Sequence, residues 1–484
     1  MYSLADFYFH ATAALPEIVL TVFGMIILLF GLVREDKSTP QVTLMTVSAF
    51  AVTALVIAAM PSEPFKGFMG SFIYDPFAQF MKLLVLMGGA ACLAMTLSYN
   101  TQEKINRFEF PVLALFSTVG MMFIISANDL MLAYVGLELM SLPLYVLVSI
   151  RRDFLRSSEA GIKYFVLGAL ASGMILYGIS LIYGFSGTIN FTRLSETLAL
   201  QDGVSITLSF GLIMLICGVA FKLSAVPFHM WTPDVYEGAP TSVTAFLAIA
   251  PKTAVFALLA RILFDGFGDM TAQWQDVIWI IAAASMIVGA FAAIPQTSIK
   301  RLLAYSTIGH MGYALVGMTA ASFDGVRSMI VYMALYMVMN IGVFAIVLML
   351  RQNDRQTTDI DNLSGLGKTH PVVALMMTVL MFSMAGIPPL AGFFGKLFVF
   401  QAAVSAELYG LAVLGVLTSV VAAYYYLRII KIMYFEEPIH VLDKPTRDLE
   451  VISGIATIFV VAFILFPQSL VNAAQAAATA LVTI

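Results

Sequence analysis

Charge is scarce in this chain: Asp, Glu, Lys and Arg make up 11% of its 484 residues, and histidine occurs five times. Apolar residues reach 60%, outside the range of soluble globular proteins. A soluble fold of this length cannot bury so much hydrophobic side chain, because its interior is limited relative to its surface. Lipid is therefore the solvent for most of the chain. The net charge of −4 leaves no basic surplus for a nucleic-acid partner. The two cysteines, Cys92 and Cys217, stand far apart outside any CxxC pair, which excludes a thiolate cluster. A phosphate-cradling loop after a strand, an HExxH pair and a Ser/His/Asp set are also missing, so no catalytic centre of those kinds is expected. The N-terminal stretch MYSLADFYFHATAALPEIVL has neither a basic leader nor a small-residue cleavage site, and reads as a short polar lead into a permanent helix.

What is present is a series of long apolar runs. A membrane helix needs about 20 mostly apolar residues. By that measure the chain is an all-α membrane protein of about fourteen spans, expected over 14–33, 41–61, 75–98, 108–127, 129–150, 159–184, 205–225, 240–264, 276–294, 302–320, 327–350, 371–403, 407–433 and 451–475. Asp75-Pro76 is a capping pair for the third span, and Asn128-Asp129 plays that part for the fifth.

Basic residues orient the bundle. One set of alternate connections holds fifteen: Arg34, Lys37, Lys104, Arg107, Arg151, Arg152, Arg156, Lys300, Arg301, Arg351, Arg355, Lys368, Lys431, Lys444 and Arg447. The other set holds three, Lys66, Arg193 and Arg327. The first set is expected in the cytoplasm, which places both termini on the opposite side of a multi-pass inner-membrane protein. Seven basic residues remain inside spans: Lys82, Lys163, Lys222, Lys252, Arg261, Lys396 and Arg428. For Lys82, Arg261 and Arg428, near span ends, snorkelling to the headgroups is the expected reading.

Two spans are interrupted. One runs through CGVAFKLSAVPFHMWTPDVYEGAPT, the other through FSMAGIPPLAGFFGKLFVF. Proline removes a donor and glycine weakens a helix, so both should break near mid-membrane, each beside a lysine. Broken backbone at that depth is tolerated where protein or water satisfies it, and paired breaks point to a transport path. The breaks lie five helices apart. Two five-helix units with that odd spacing take opposite orientations, giving inverted repeats. The expected organisation is a three-helix segment over 1–107, repeats over 108–264 and 265–433, and a loop with a last helix over 434–484.

A charge at the centre of an isolated membrane helix costs about 2.5–3.5 kcal/mol on insertion scales. Such residues persist when paired, hydrated or used. Glu138 sits near the middle of the fifth span, as a structural ion-pair member or as a charge partner setting the protonation of a nearby lysine. Lys222 and Lys396 flank the two breaks, and Lys396 is expected to mirror Lys222. Desolvation weakens an amine's hold on its proton, and an approaching carboxylate restores it, so a changing Glu138–Lys222 separation would switch proton affinity. Lys252, after Pro251, reads as a polar relay. Lys163 follows Glu159 by four residues, so an ion pair and a functional role stand open side by side. His310 is a mid-helix histidine suited to proton transfer. His229 ends the seventh span, and no spacing pairs it with His310 for haem.

These residues carry a resemblance. FKLSAVPFHMWTPDVYEGAPTSVTAFLAIAPKTAVFALLARIL, with GFSGTINF and SIKRLLAYSTIGHMGY, resembles the antiporter-like membrane subunits of respiratory complex I, a superfamily that includes multisubunit Na+/H+ antiporter subunits. The match is strongest from about 129 to 400. The resemblance implies that Glu138, Lys222, Lys252 and Lys396 form a proton-relay axis, with Lys163, Lys300 and His310 at further polar positions of it. It also implies a proton-translocating subunit of an NADH-quinone oxidoreductase, with no cofactor in this chain and with FMN, iron–sulfur clusters and quinone in partner subunits. The expected partners are antiporter-like sister subunits, small membrane subunits and the lipid bilayer. The alternative within the superfamily is a Mrp-type Na+/H+ antiporter subunit.

Overall fold

The computed structural model describes residues 10–200 and 205–482. The polar lead over 1–9 lies outside the described residues. Helix α1 (Leu15–Arg34) and helix α2 (Thr39–Ala59) form a hairpin through a tight turn at Glu35–Ser38. A small antiparallel ribbon, β1 (Phe65–Gly67) with β2 (Phe72–Tyr74), leads to α3 (Pro76–Gln102). The Asp75 carboxylate accepts from Ala78 N at 2.7 Å, the expected cap. After α4 (Glu109–Ile125), Asp129 caps α5 (Leu130–Val148) through the Met131 and Leu132 amides.

Next come α6 (Leu155–Ser186), a short α7 (Phe191–Ala199), α8 (Ile206–Leu223), α9 (Trp231–Gly238) and α10 (Thr241–Arg261). They are followed by α11 (Thr271–Ala292), α12 (Ile299–Thr319), α13 (Phe323–Met349), the two-residue strands β3 (Arg351–Gln352) and β4 (Arg355–Gln356), and the short α14 (Leu366–Thr369). The chain closes with α15 (Pro371–Ala385), α16 (Ala391–Ser405), α17 (Tyr409–Phe435), α18 (Arg447–Ala462) and α19 (Pro467–Val482). Among the described residues, ten helical runs are long and apolar enough to cross a membrane.

Both expected interruptions are present. α8 stops at Leu223, where Ser224 takes a left-handed conformation (φ 63°), and α9 resumes at Trp231. α15 stops at Ala385 with Gly386 left-handed (φ 88°), and α16 resumes at Ala391. Pro143 and Pro251 instead lie inside continuous helices. The last expected span, 451–475, is two helices, because Pro467 starts a new helix after a tight turn at Phe463–Leu465.

α10 forms a central spine, with every residue buried, packed on α3, α4 and α13. The outer helices keep apolar faces uncovered, as lipid contact allows; Leu29, Leu55, Leu170 and Val420 are examples. Close backbone approach sets part of the packing: a Cβ on Gly120 in α4 would lie 2.3 Å from the Met140 amide of α5.

Snorkelling fails for two residues. Lys82 is fully buried, 2.6 Å from Glu17 of α1, with its ammonium over the Phe72 and Tyr74 rings. Arg261 is fully buried as well, bound to Asp75 at 2.7 Å and to Asp265 at 3.2 Å, and its Nε donates to Ile125 O. In both cases a buried carboxylate within ion-pair distance supplies the partner, so the charge turns inward. Together these contacts tie α1, α3, α4 and α10. Arg428, half-buried, donates to the Ile294 and Gln296 carbonyls.

Candidate functional site

The first break gathers residues from α5, α8, α9 and α10. Lys222, in the last turn of α8, is 4% exposed. Its Nζ donates to Ser141 Oγ at 2.8 Å and to Tyr145 OH at 3.2 Å. Both hydroxyls lie on the α5 face that carries Glu138, three and seven residues further on. Glu138 is half-buried and takes a hydrogen bond from Ser172 of α6, and it forms no ion pair with Lys222. Lys252 of α10 is 1% exposed. Its Nζ donates to the Lys222 carbonyl at 2.9 Å and to Ser224 Oγ at 2.5 Å, and lies 4.9 Å from the Trp231 ring centre. Ser224 Oγ also accepts from Thr232 at 2.7 Å. A left-handed serine is uncommon, and here two donors hold it at the break.

The second break presents a related arrangement. Lys396 of α16 is 5% exposed and donates to Met384 O at 3.2 Å, Ala385 O at 2.8 Å and Ser419 Oγ at 2.7 Å. Its ammonium lies 4.9 Å from the Tyr313 ring centre. His310 of α12 is 3% exposed; Nδ1 meets Tyr332 OH at 2.7 Å and Nε2 meets Tyr426 OH at 3.1 Å. Tyr426 and Ser306 share a further bond at 2.5 Å, and Tyr336 donates to Thr307 at 3.1 Å. In what they bind, Lys396 and Lys252 correspond: each seats its ammonium on the carbonyl end of an interrupted helix. Lys222 differs, because it reaches sideways to α5.

Lys300 and Lys163 sit toward the arginine-rich end. Lys300 is 4% exposed and donates to the Glu237 and Ala239 carbonyls at the end of α9. The Lys163 side chain is 42% exposed and lies 2.8 Å from both Glu159 and Asp234. Of the two readings left open for Lys163, the ion pair with Glu159 is present, two turns into α6, which begins at Leu155. Arg301 joins the same network through Asp234 and Glu237. Among the described residues, no carboxylate forms an ion pair with Lys222, Lys252, Lys300 or Lys396, and no group of three His, Cys, Asp or Glu side chains could hold a metal.

The hydroxyl partners are what sequence reasoning missed: Ser141, Tyr145, Ser224, Thr232, Ser306, Tyr332, Ser419 and Tyr426. Some signal was there, since Ser141 and Tyr145 repeat at helical spacing from Glu138, and Tyr332 and Tyr336 are four apart on α13. Serine and tyrosine are too common in helices for spacing alone to separate them. Amines, imidazole and hydroxyls in hydrogen-bond contact can accept and hand on protons.

A membrane bundle with interrupted helices and buried, carboxylate-free amines defines a transporter-type domain. Residues 127–422 match the family described as NADH:quinone oxidoreductase/Mrp antiporter, TM. The NADH-quinone oxidoreductase subunit N of Rhodospirillum rubrum is 53% identical, over 97% of this chain and 97% of that one. Among solved structures, a chain of respiratory complex I from Thermus thermophilus superposes with a TM-score of 0.82 at 31% identity, covering 95% of this chain and 99% of that one. A chain of the Mrp complex from Dietzia sp. shares the fold, with a TM-score of 0.83 at 22% identity, over 99% and 98% of the two chains. This chain belongs to the NADH-quinone oxidoreductase subunit N family.

Proposed function

We propose that this chain is a proton-translocating, antiporter-like membrane subunit of a bacterial NADH-quinone oxidoreductase. Electrons pass from NADH to quinone in other subunits, which hold the FMN and iron–sulfur clusters, and this subunit moves protons in response. The observation that carries the reading is the row of buried amines, Lys222, Lys252 and Lys396, at two helix breaks and held by carbonyls and hydroxyls alone.

In this reading protons are taken up at the arginine-rich, cytoplasmic end. A crevice of about 1170 Å³, lined by Glu103, Arg151, Ser149 and Tyr145 among others, supports that route, because Tyr145 bonds Lys222. They pass by Lys252 and His310 and leave through Lys396. Glu138 is the switch: a lysine side chain swinging one turn along α5, from Ser141 to the carboxylate, gains a charge partner and holds its proton. Lys163 and Lys300 attach the network to α6 and α9 at the uptake end.

The architecture we assign is fourteen spans, both termini periplasmic, with inverted repeats over 108–264 and 265–433 between a segment over 1–107 and a tail over 434–484. The left-handed breaks five spans apart support the pairing of the repeats. Antiporter-like and small membrane subunits are the partners, in the bilayer. Lys222→Ala or Glu138→Ala in the assembled complex is expected to abolish most proton-coupled quinone reduction with the subunit still incorporated. Wild-type pumping by an assembled Lys222→Ala complex, measured in vesicles by a pH-sensitive dye, would overturn the relay.

A further inference from the structure

His310 has a phenol at each ring nitrogen: Tyr332 OH of α13 lies 2.7 Å from Nδ1, and Tyr426 OH of α17 lies 3.1 Å from Nε2. Tyr426 OH in turn lies 2.5 Å from Ser306 Oγ, one turn before His310 on α12. Ser306, Tyr426, His310 and Tyr332 thus form an unbroken hydrogen-bonded row of four buried side chains from three helices. Its Ser306 end lies toward the start of α12, where Lys300 and Arg301 stand. At the other end the Tyr332 ring packs against Gly395, the neighbour of Lys396, and a Cβ on Gly395 would lie 3.3 Å from that ring.

A hydroxyl inside a helix can return its proton to its own backbone, as Thr307 does to Leu303 O at 2.9 Å. Ser306 turns to Tyr426 instead. A neutral imidazole has one N–H and one lone pair for bonding, and a phenol has one O–H. The tautomer of His310 therefore sets the order of donors along the row. With the proton on Nδ1, His310 donates to Tyr332, Tyr426 donates to Nε2, and Ser306 donates to Tyr426. With the proton on Nε2, each of these bonds reverses. We propose that Ser306 and Tyr426 are proton-transfer residues that load His310, and that Tyr332 takes the proton from it on the Lys396 side, a role that rests on the proton-relay reading above. A proton arriving at Ser306 Oγ displaces the one already there to the Tyr426 oxygen. Tyr426 gives its own proton to Nε2, Nδ1 gives up its proton to the Tyr332 oxygen, and Tyr332 releases the proton it held. One proton enters, one leaves, and the row is left in the reversed order with no other bond changed.

The test is Tyr426→Phe in the full chain, in the assembled complex, reconstituted in vesicles. It keeps the ring and removes only the hydroxyl. The measured quantities are NADH oxidation by ferricyanide, protons moved per electron pair passed to quinone, and the solvent isotope effect on pumping. Tyr426→Phe is expected to oxidise NADH with ferricyanide at the wild-type rate, to lose the share of pumping that Lys222→Ala loses, and to change the isotope effect on what remains. Wild-type proton yield in Tyr426→Phe overturns the proposal. A lowered yield with an unchanged isotope effect overturns it too, because a structural defect removes active complexes without altering the proton step. An assembled Lys222→Ala that pumps normally removes the underlying reading, whereas failure of Lys222→Ala beside a normal Tyr426→Phe removes only this link. If Tyr426→Phe does not assemble, Ser306→Ala takes the first hydroxyl from the row and leaves a good helix former in its place. The same loss and the same change of isotope effect are then expected, and wild-type pumping by Ser306→Ala overturns the proposal.

Discussion

Lys252, Lys300 and Lys396 each place an ammonium group on the carbonyl end of a helix, at the ends of α8, α9 and α15. A helix C-terminus carries partial negative charge and unsatisfied carbonyls, so it stabilises a cation without a carboxylate. That leaves each amine held yet unneutralised, which suits the proton-handling role proposed for it. The geometry at the second break is tight. Gly386 is left-handed, and a Cβ there would meet the Lys396 side chain at 2.9 Å. Gly386→Ala is expected to cost about 1–2 kcal/mol in backbone strain and to dislodge Lys396 from its carbonyls. Thermal inactivation of the purified complex should shift downward, and pumping should fall more than NADH oxidation does.

Proline alone did not decide where helices stop. Pro143 and Pro251 are accommodated within α5 and α10, whereas the chain breaks near Pro227 and Pro388-Pro389. At the breaks a left-handed residue and side-chain donors collect the freed carbonyls, and those donors come from other helices. The breaks themselves were legible from Pro and Gly beside a lysine, but their capping partners were not. Lys82 and Arg261 make the same point from the other direction. Span position suggested snorkelling, yet Glu17 is sixty-odd residues away in the chain and 2.6 Å away in space. Lys82→Met, which strands the Glu17 carboxylate, is expected to destabilise the subunit by about 3–5 kcal/mol. Adding Glu17→Leu should restore most of that loss, as read by thermal unfolding of the complex. If the double variant is no more stable than Lys82→Met alone, the ion-pair account fails.

The arrangement of the bundle follows from two opposed demands. Outer helices offer apolar faces to lipid, while α10, α12 and α13 give up contact with lipid and carry or surround the polar axis. The orientation we propose rests on the basic rim. A cysteine at Asn353, exposed in the β3–β4 turn, is expected to react with an impermeant thiol reagent only from the cytoplasmic side. One at Glu196, exposed on α7, should react only from the opposite side. Labelling of both from one side would reverse or break the assigned topology.

Sequence by itself determined that the chain lives in lipid, roughly where its helices run, where two of them break, and that Lys222, Lys252 and Lys396 lie deep. Each of those rests on local chemistry: hydropathy over a helix length, the missing proline donor, the cost of a charge away from water. Tertiary structure alone decided what each charge touches. Lys222 meets hydroxyls of α5 instead of Glu138, Lys163 joins Asp234 of α9 as well as Glu159, and Lys82 turns inward to Glu17. Partner choice depends on distances between residues far apart in the chain, and helical periodicity carries no information about those.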